Sequence, residues 1–212
     1  MNRLRILKVF IFLAALIPLG LLGWKAFHDG LGANPIEVIT HATGDWTLRL
    51  ILVTLGITPL RRISRQYWLI GVRRMVGLFA FLYATLHFFT YIWLDKFFDV
   101  HEMVKDVAKR PFITVGFSAF ILMIPLALTS TAWSIRRLGG KNWQRLHRLI
   151  YLTAILGVVH YLWLVKADHT KPIEYGILLG ILLAYRVGVW ASDKAAERRR
   201  QAAPPAPVGA GV

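Results

Sequence analysis

Seven histidines and no cysteine set the chemistry open to this 212-residue chain. Without thiols there is no disulfide framework, no thiolate zinc or iron–sulfur site, no thiolate-ligated haem and no CxxCH haem attachment. Metal chemistry therefore falls mainly to imidazole. Two histidines stand apart, because His87 and His160 lie inside long apolar stretches. An ionisable side chain within a membrane span is costly and marks function by default. His87 falls about 12 residues into its stretch and His160 about 11 into another, so at about 1.5 Å per residue the two imidazoles reach similar depth. Two imidazoles from different helices at one depth are what haem b needs for an axial nitrogen on each face. Hydrogen bonding across a helix bundle is the plainer use of such a residue, and the depth match favours the metal.

His147 precedes His160 by 13 residues, which at 100° per residue places it about 220° around a straight helix, on another face. Three roles stand side by side for it: ligand of a second, inner haem, hydrogen-bond donor to a cofactor, or interfacial residue. Arg73 and Arg74 occupy the third-span positions where a histidine partner for His147 would sit, and Met75 is a conceivable sulfur ligand. Arg61, Arg62 and Arg65 crowd the same short loop. Such a cluster serves by default as a positive stop that touches anionic lipid, and alternatively as a socket for haem propionates or a flavin phosphate, which Arg pairs bidentately. His28, His41, His101 and His169 fall in loops without metalloprotease-like spacing.

The elements that must position these groups follow from composition. Hydrophobic residues make up 56% of the chain and charged ones 17%, yet the net charge is +15. A soluble domain has about a quarter charged residues, and a nucleic-acid binder this basic would not have a mean hydropathy of +0.52. Apolar residues in lipid with basic residues at one edge reconcile the two. Six spans are expected, at 7–27, 47–60, 75–94, 112–129, 149–165 and 173–190, the second weakened by Arg49 and Pro59. Residues 1–192 then form one membrane domain and 193–212 a basic, then Pro/Ala-rich disordered tail. No small-x-small cleavage site follows the first span, which is read as uncleaved. Placing both termini on the cytoplasmic side puts 18 of the 26 basic residues there and 9 of the 11 acidic ones outside, as the positive-inside rule requires. No GxGxxG or P-loop pattern appears, so the chain does not bind a nicotinamide nucleotide in such a fold, and no nucleophile–base set suggests hydrolysis.

With these residues in place the chain resembles the MsrQ family, within the ferric-reductase-like transmembrane superfamily. The likeness runs along nearly the whole chain. It is carried by Gly30-Leu31-Gly32-Ala33-Asn34-Pro35, His41-Ala42-Thr43-Gly44, Ile57-Thr58-Pro59-Leu60, Arg73-Arg74 with Gly77-Leu78, and Tyr83-Ala84-Thr85-Leu86-His87. It continues through Arg110-Pro111-Phe112-Ile113-Thr114, Leu126-Ala127-Leu128-Thr129-Ser130, Trp143-Gln144-Arg145-Leu146-His147 and His160-Tyr161-Leu162-Trp163.

The resemblance implies an all-α bundle of six membrane helices in a bacterial inner membrane. It associates His87, His147 and His160 with haem b and adds FMN as a cofactor. It also implies a role: electrons from the quinone pool or a cytosolic flavin reductase cross to a periplasmic molybdopterin-containing catalytic subunit that reduces methionine sulfoxide. Asp95, Asp99, Glu102 and Asp106 are candidate docking contacts by their expected exposure. A self-contained ferric or quinone reductase using the same haem is the alternative, and a small proton-coupled transporter the alternative from another class.

Overall fold

Runs of Leu, Ile, Val, Phe and Ala in lipid leave backbone amides no water to bond, and a helix satisfies them within the segment. The computed structural model describes residues 3–202 and turns each such run into helix. The elements are α1 (Arg3–Phe27), α2 (Pro35–Ser64), α3 (Leu69–Phe89) continued by a π turn (Thr90–Asp95), α4 (Val100–Lys109) and α5 (Pro111–Leu128). Then come α6 (Ala132–Leu138), α7 (Gly140–His147), α8 (Leu149–Leu164) and α9 (Thr170–Ala202). Five segments are long and apolar enough to cross a bilayer: Leu4–Phe27, Leu69–Asp95, Pro111–Leu128, Gly140–Leu164 and Thr170–Gln201. The chain is a multi-pass membrane protein.

Several expected boundaries move. α2 begins at Pro35, well before Thr47, so much of the stretch between the first two expected spans is helix. Asn34 caps it by accepting from the Glu37 amide, and Pro35 suits a first turn whose N–H is unpaired anyway. Pro59 does not end it. The helix runs on to Ser64 and stops where Arg65 turns left-handed at φ 56°. α2 carries Asp45 and Arg49 and is not among the five apolar spans, although it is 30 residues long and the most deeply packed helix. The 95–111 and 131–148 segments, expected as loops, hold α4, α6 and α7. The tail expected to start at 193 is helical as far as Ala202, in keeping with its Ala, Glu, Arg and Gln content; residues 203–212 lie outside the described part.

Two helix pairs build the bundle. α2 packs along α3, and α5 along α8, with α1 against the first pair and α9 against α8 and α2. Leu55, Ile51, Ala80 and Tyr83 are sealed between α2 and α3, and the Tyr83 hydroxyl donates to the Ala15 carbonyl at 2.7 Å, tying α1 to the pair. Outward faces of α1 and α9 present Phe10, Leu13, Ile17, Ile177 and Ile181, an exposed apolar surface suited to lipid. Between the two pairs a gap remains, and His87 and His160 face each other across it.

Candidate functional site

His87 comes from α3 and His160 from α8, so neither pair alone makes the site. Their ring centres are 6.0 Å apart and their planes nearly perpendicular, at 79°. The His87 Nδ1 lies 3.0 Å from the Thr40 carbonyl on α2, and the His160 Nδ1 lies 2.7 Å from the Phe112 carbonyl on α5. A carbonyl only accepts, so each Nδ1 must carry the proton and donate it. In a neutral imidazole that leaves the Nε2 lone pair free on both rings, the tautomer a metal takes up when a second partner fixes the other nitrogen. Each pair of helices thus supplies one histidine and the carbonyl that orients it.

Glycine makes the room. A Cβ on Gly44 would sit 3.1 Å from the His87 ring, and one on Gly116 would come to 2.5 Å from the His160 Nδ1. The second distance cannot be met without moving the imidazole. Thr90 begins the π turn directly after α3, its hydroxyl donating to the His87 carbonyl at 2.7 Å and lying 3.1 Å from the Thr40 hydroxyl. π turns inside helices recur at functional sites. Here one re-aims the chain just past His87.

The histidines line a cavity of about 560 Å³ bounded by α2, α3, the π turn, α4, α5 and α8. That is within the range of about 300–1,000 Å³ usual for small-molecule and cofactor sites. Its walls are mainly apolar, with Leu48, Ile51, Phe88, Phe117 and Phe120 prominent, while His41, Asp45, Tyr91, Asp95, Arg110 and Tyr161 gather polar groups on it. Amphipathic α4 covers one side with Met103, Val104 and Val107. It is held by an ion pair between Lys96 and Asp106, which also faces Arg110. Asp106 is buried, and Lys96 beside it holds its carboxyl below the usual range; Lys96 is held above its own.

The donor set fits a bis-imidazole haem. Two imidazoles holding one metal through nitrogen would have their centres about 6 Å apart, from a bond of about 2 Å and about 1 Å of ring on each side. The observed separation already has that value, with both Nε2 lone pairs free and glycines clearing the rings.

His147 is placed differently. It ends α7, stacks on Trp143 at 3.9 Å, and its Nε2 lies 3.0 Å from the Thr129 hydroxyl. That hydroxyl donates to the Pro125 carbonyl at 2.6 Å, so His147 Nε2 is the donor to Thr129. It does not line the cavity. Arg73 is within electrostatic reach of His147, and also of Arg61 and Arg186. Arg186 on α9 donates to the Leu55 carbonyl and lies over the Tyr151 ring, and the Nε atoms of Arg61 and Arg186 are buried without a hydrogen-bond partner among the described residues. Arg74 is exposed, and Met75 packs against the core. Sequence reasoning missed Thr40, Phe112 and Gly116 around the deep pair, and Arg186 at the other end. Only Gly116 carried a sequence signal, a small residue in the middle of an apolar span.

Residues 43–158 match the model of the ferric reductase like transmembrane component family. A relative from Herminiimonas arsenicoxydans is 58% identical over 194 residues, covering 91% of this chain and 88% of the relative. Its name is protein-methionine-sulfoxide reductase heme-binding subunit MsrQ. The chain belongs to the MsrQ family. Other MsrQ proteins of the same name come from Azospira oryzae, 53% identical over 187 residues and covering 88% of this chain and 80% of the relative, and from Xanthomonas campestris pv. campestris, 46% over 205 residues and 94% of each. The MsrQ match spans the whole cavity, since His41, His87, Arg110 and His160 all fall within the aligned length of a chain covered nine-tenths or more.

Proposed function

We propose that the protein is a b-type cytochrome subunit of a methionine sulfoxide reductase system in a bacterial inner membrane, in which His87 and His160 would together hold one haem. What supports this is the imidazole pair itself: ring centres 6.0 Å apart, both Nδ1 atoms donating to backbone carbonyls, both Nε2 lone pairs free. A haem held there supplies a one-electron carrier within the bundle. The chain's own residues do the rest. Thr40 and Phe112 carbonyls lock tautomer and ring direction, Gly44 and Gly116 admit the rings, and Leu48, Ile51, Phe88 and Phe117 exclude water.

In this reading α2 is the sixth crossing. Its Asp45 is neutralised by Arg49 and Lys171, and Arg49 donates to the Tyr175 hydroxyl, so the charges in the first half of the helix are paired. Both termini are cytoplasmic. Electrons arrive from the quinone pool or a cytosolic flavin reductase at the basic end formed by Arg61, Arg73 and Arg186, with His147 beside it and Arg74 at the adjacent surface. Those guanidiniums are also where an FMN phosphate would be held. Electrons depart at the opposite, acidic end to a periplasmic molybdopterin-containing methionine sulfoxide reductase.

The test is to reduce the purified protein and follow its absorption. Reoxidation that requires both the soluble catalytic subunit and methionine sulfoxide agrees with delivery to a partner. Equal reoxidation by ferric chelate or quinone alone would favour a self-contained reductase, and a colourless protein would favour a transporter.

A further inference from the structure

A haem b is an apolar disc with two carboxylates on one edge, so a cavity that takes it needs an end where carboxylates find donors; buried and unpaired they are costly. Among the described residues that line this cavity, Arg110 is the only Lys or Arg. Its guanidinium makes no side-chain hydrogen bond among the described residues, and its nearest acid, Asp106, stands off at 3.6 Å while pairing more closely with Lys96. Tyr91, from the π turn, lines the same cavity, and its hydroxyl is buried with no hydrogen-bond partner among the described residues. The two carboxylates already there have other cations near them: Asp45 has Arg49 at 3.4 Å and Lys171 at 3.9 Å, and Asp95 has Lys96 at 3.6 Å, which it shares with Asp106. Two donors therefore meet on one cavity: the Tyr91 hydroxyl, without a partner among the described residues, and Arg110, held only by the 3.6 Å ion pair to Asp106.

Their positions are tied to the ligands. Arg110 is two residues before Phe112, whose carbonyl orients His160, and Pro111 in the first turn of α5 fixes the backbone between them. Tyr91 is four residues after His87. Each ligand helix, or the segment that orients its histidine, thus brings one donor.

We propose that Arg110 and Tyr91 anchor the haem propionates, Arg110 by a charge-assisted pair and Tyr91 by donating its hydroxyl, so that the propionate edge points to the α4–α5 corner. This rests on the haem reading above. Arg110 is a positioning residue that fixes the cofactor's rotation about the His87–His160 axis and raises its potential. Removing a positive charge beside a propionate destabilises the reduced haem.

The experiment uses the full-length protein purified in detergent with its haem, as wild type, R110Q, R110K, Y91F and K105Q. Lys105 is on the neighbouring α4 but is exposed and paired to Glu102, outside the cavity. Resonance Raman reads the propionate bending band and a redox titration the midpoint potential. In R110Q the propionate band shifts, and at the potential that half-reduces wild type the reduced-to-oxidised ratio falls about tenfold, equivalent to about 1.4 kcal/mol. R110K keeps most of the potential but moves the band, Y91F moves the band with little change in potential, and K105Q changes neither. If R110Q loses its haem, R110K and Y91F carry the comparison. An unchanged band in R110K and Y91F with haem retained overturns the anchoring while leaving the haem reading intact. A wild-type protein without haem overturns both.

Discussion

The two ends of the bundle treat histidine in opposite ways. At the cavity, His87 and His160 give their Nδ1 protons to backbone carbonyls and leave both Nε2 atoms free. At the other end, His147 spends its Nε2 on Thr129 and lies flat on Trp143. One arrangement presents lone pairs towards a gap, and the other closes a contact between helices. The difference lies less in depth than in which nitrogen the surroundings claim, because the nitrogen bonded to a fixed acceptor decides the tautomer and hence what remains to bind.

That contrast breaks first at the deep pair. H87A or H160A should each remove most of the bound haem, read as the loss of the Soret and reduced α-bands per mole of protein, whereas H147A should keep at least half. Equal loss in all three would erase the distinction between the ends. The next largest effect is expected at Gly116: with a Cβ at 2.5 Å from Nδ1, G116A must displace His160, lowering haem content several-fold, while G44A, with its contact at 3.1 Å, should lower it less. T129V sharpens the comparison from the other side. It removes the acceptor of His147 and should cost about 1 kcal/mol of stability in thermal unfolding, with the deep haem's spectrum unchanged.

The smallest effect concerns α4. Asp106 is held below the usual carboxylate range by Lys96, so its contribution is fully present above that range and is lost as pH falls through the lowered value. Lys96 is shifted upward, and its share is lost only as pH rises past the usual lysine range. Protection of the Val100–Lys109 amides, taken relative to their intrinsic exchange rate at each pH, should therefore fall at acid pH in the wild type and already at neutral pH in D106N. Protection that is flat with pH and identical in the variant would mean that the pair does not hold the helix.

Much of this was legible in the sequence because lipid imposes a simple rule: long apolar runs become helices, and a histidine inside one is costly enough to be noticed. The five strongly apolar spans and the meeting of His87 with His160 both follow from that rule. α2 was misjudged at its ends, because Asp45 and Arg49 break its hydropathy; those charges pair with each other, Asp45 also with Lys171, and Arg49 donates to the Tyr175 hydroxyl, partners distant in sequence or visible only once the helix forms. α4, α6 and α7 were hidden for a related reason: they are short, and polar enough to read as loop. The Thr40 and Phe112 carbonyls could not be read at all, since a backbone acceptor has no residue type. The helical run from Asp193 to Ala202 was masked by its charge, which signals a membrane stop without deciding backbone conformation.

Whether His87 and His160 ligate one haem between them is tested most directly by electron paramagnetic resonance of the oxidised protein, recorded for the wild type and for H87A and H160A at matched protein concentration. The ligation described here predicts a low-spin ferric signal of the kind given by two nearly perpendicular imidazoles, matching their 79° interplanar angle, and its disappearance in either single variant. A low-spin signal that survives intact in both variants would contradict it.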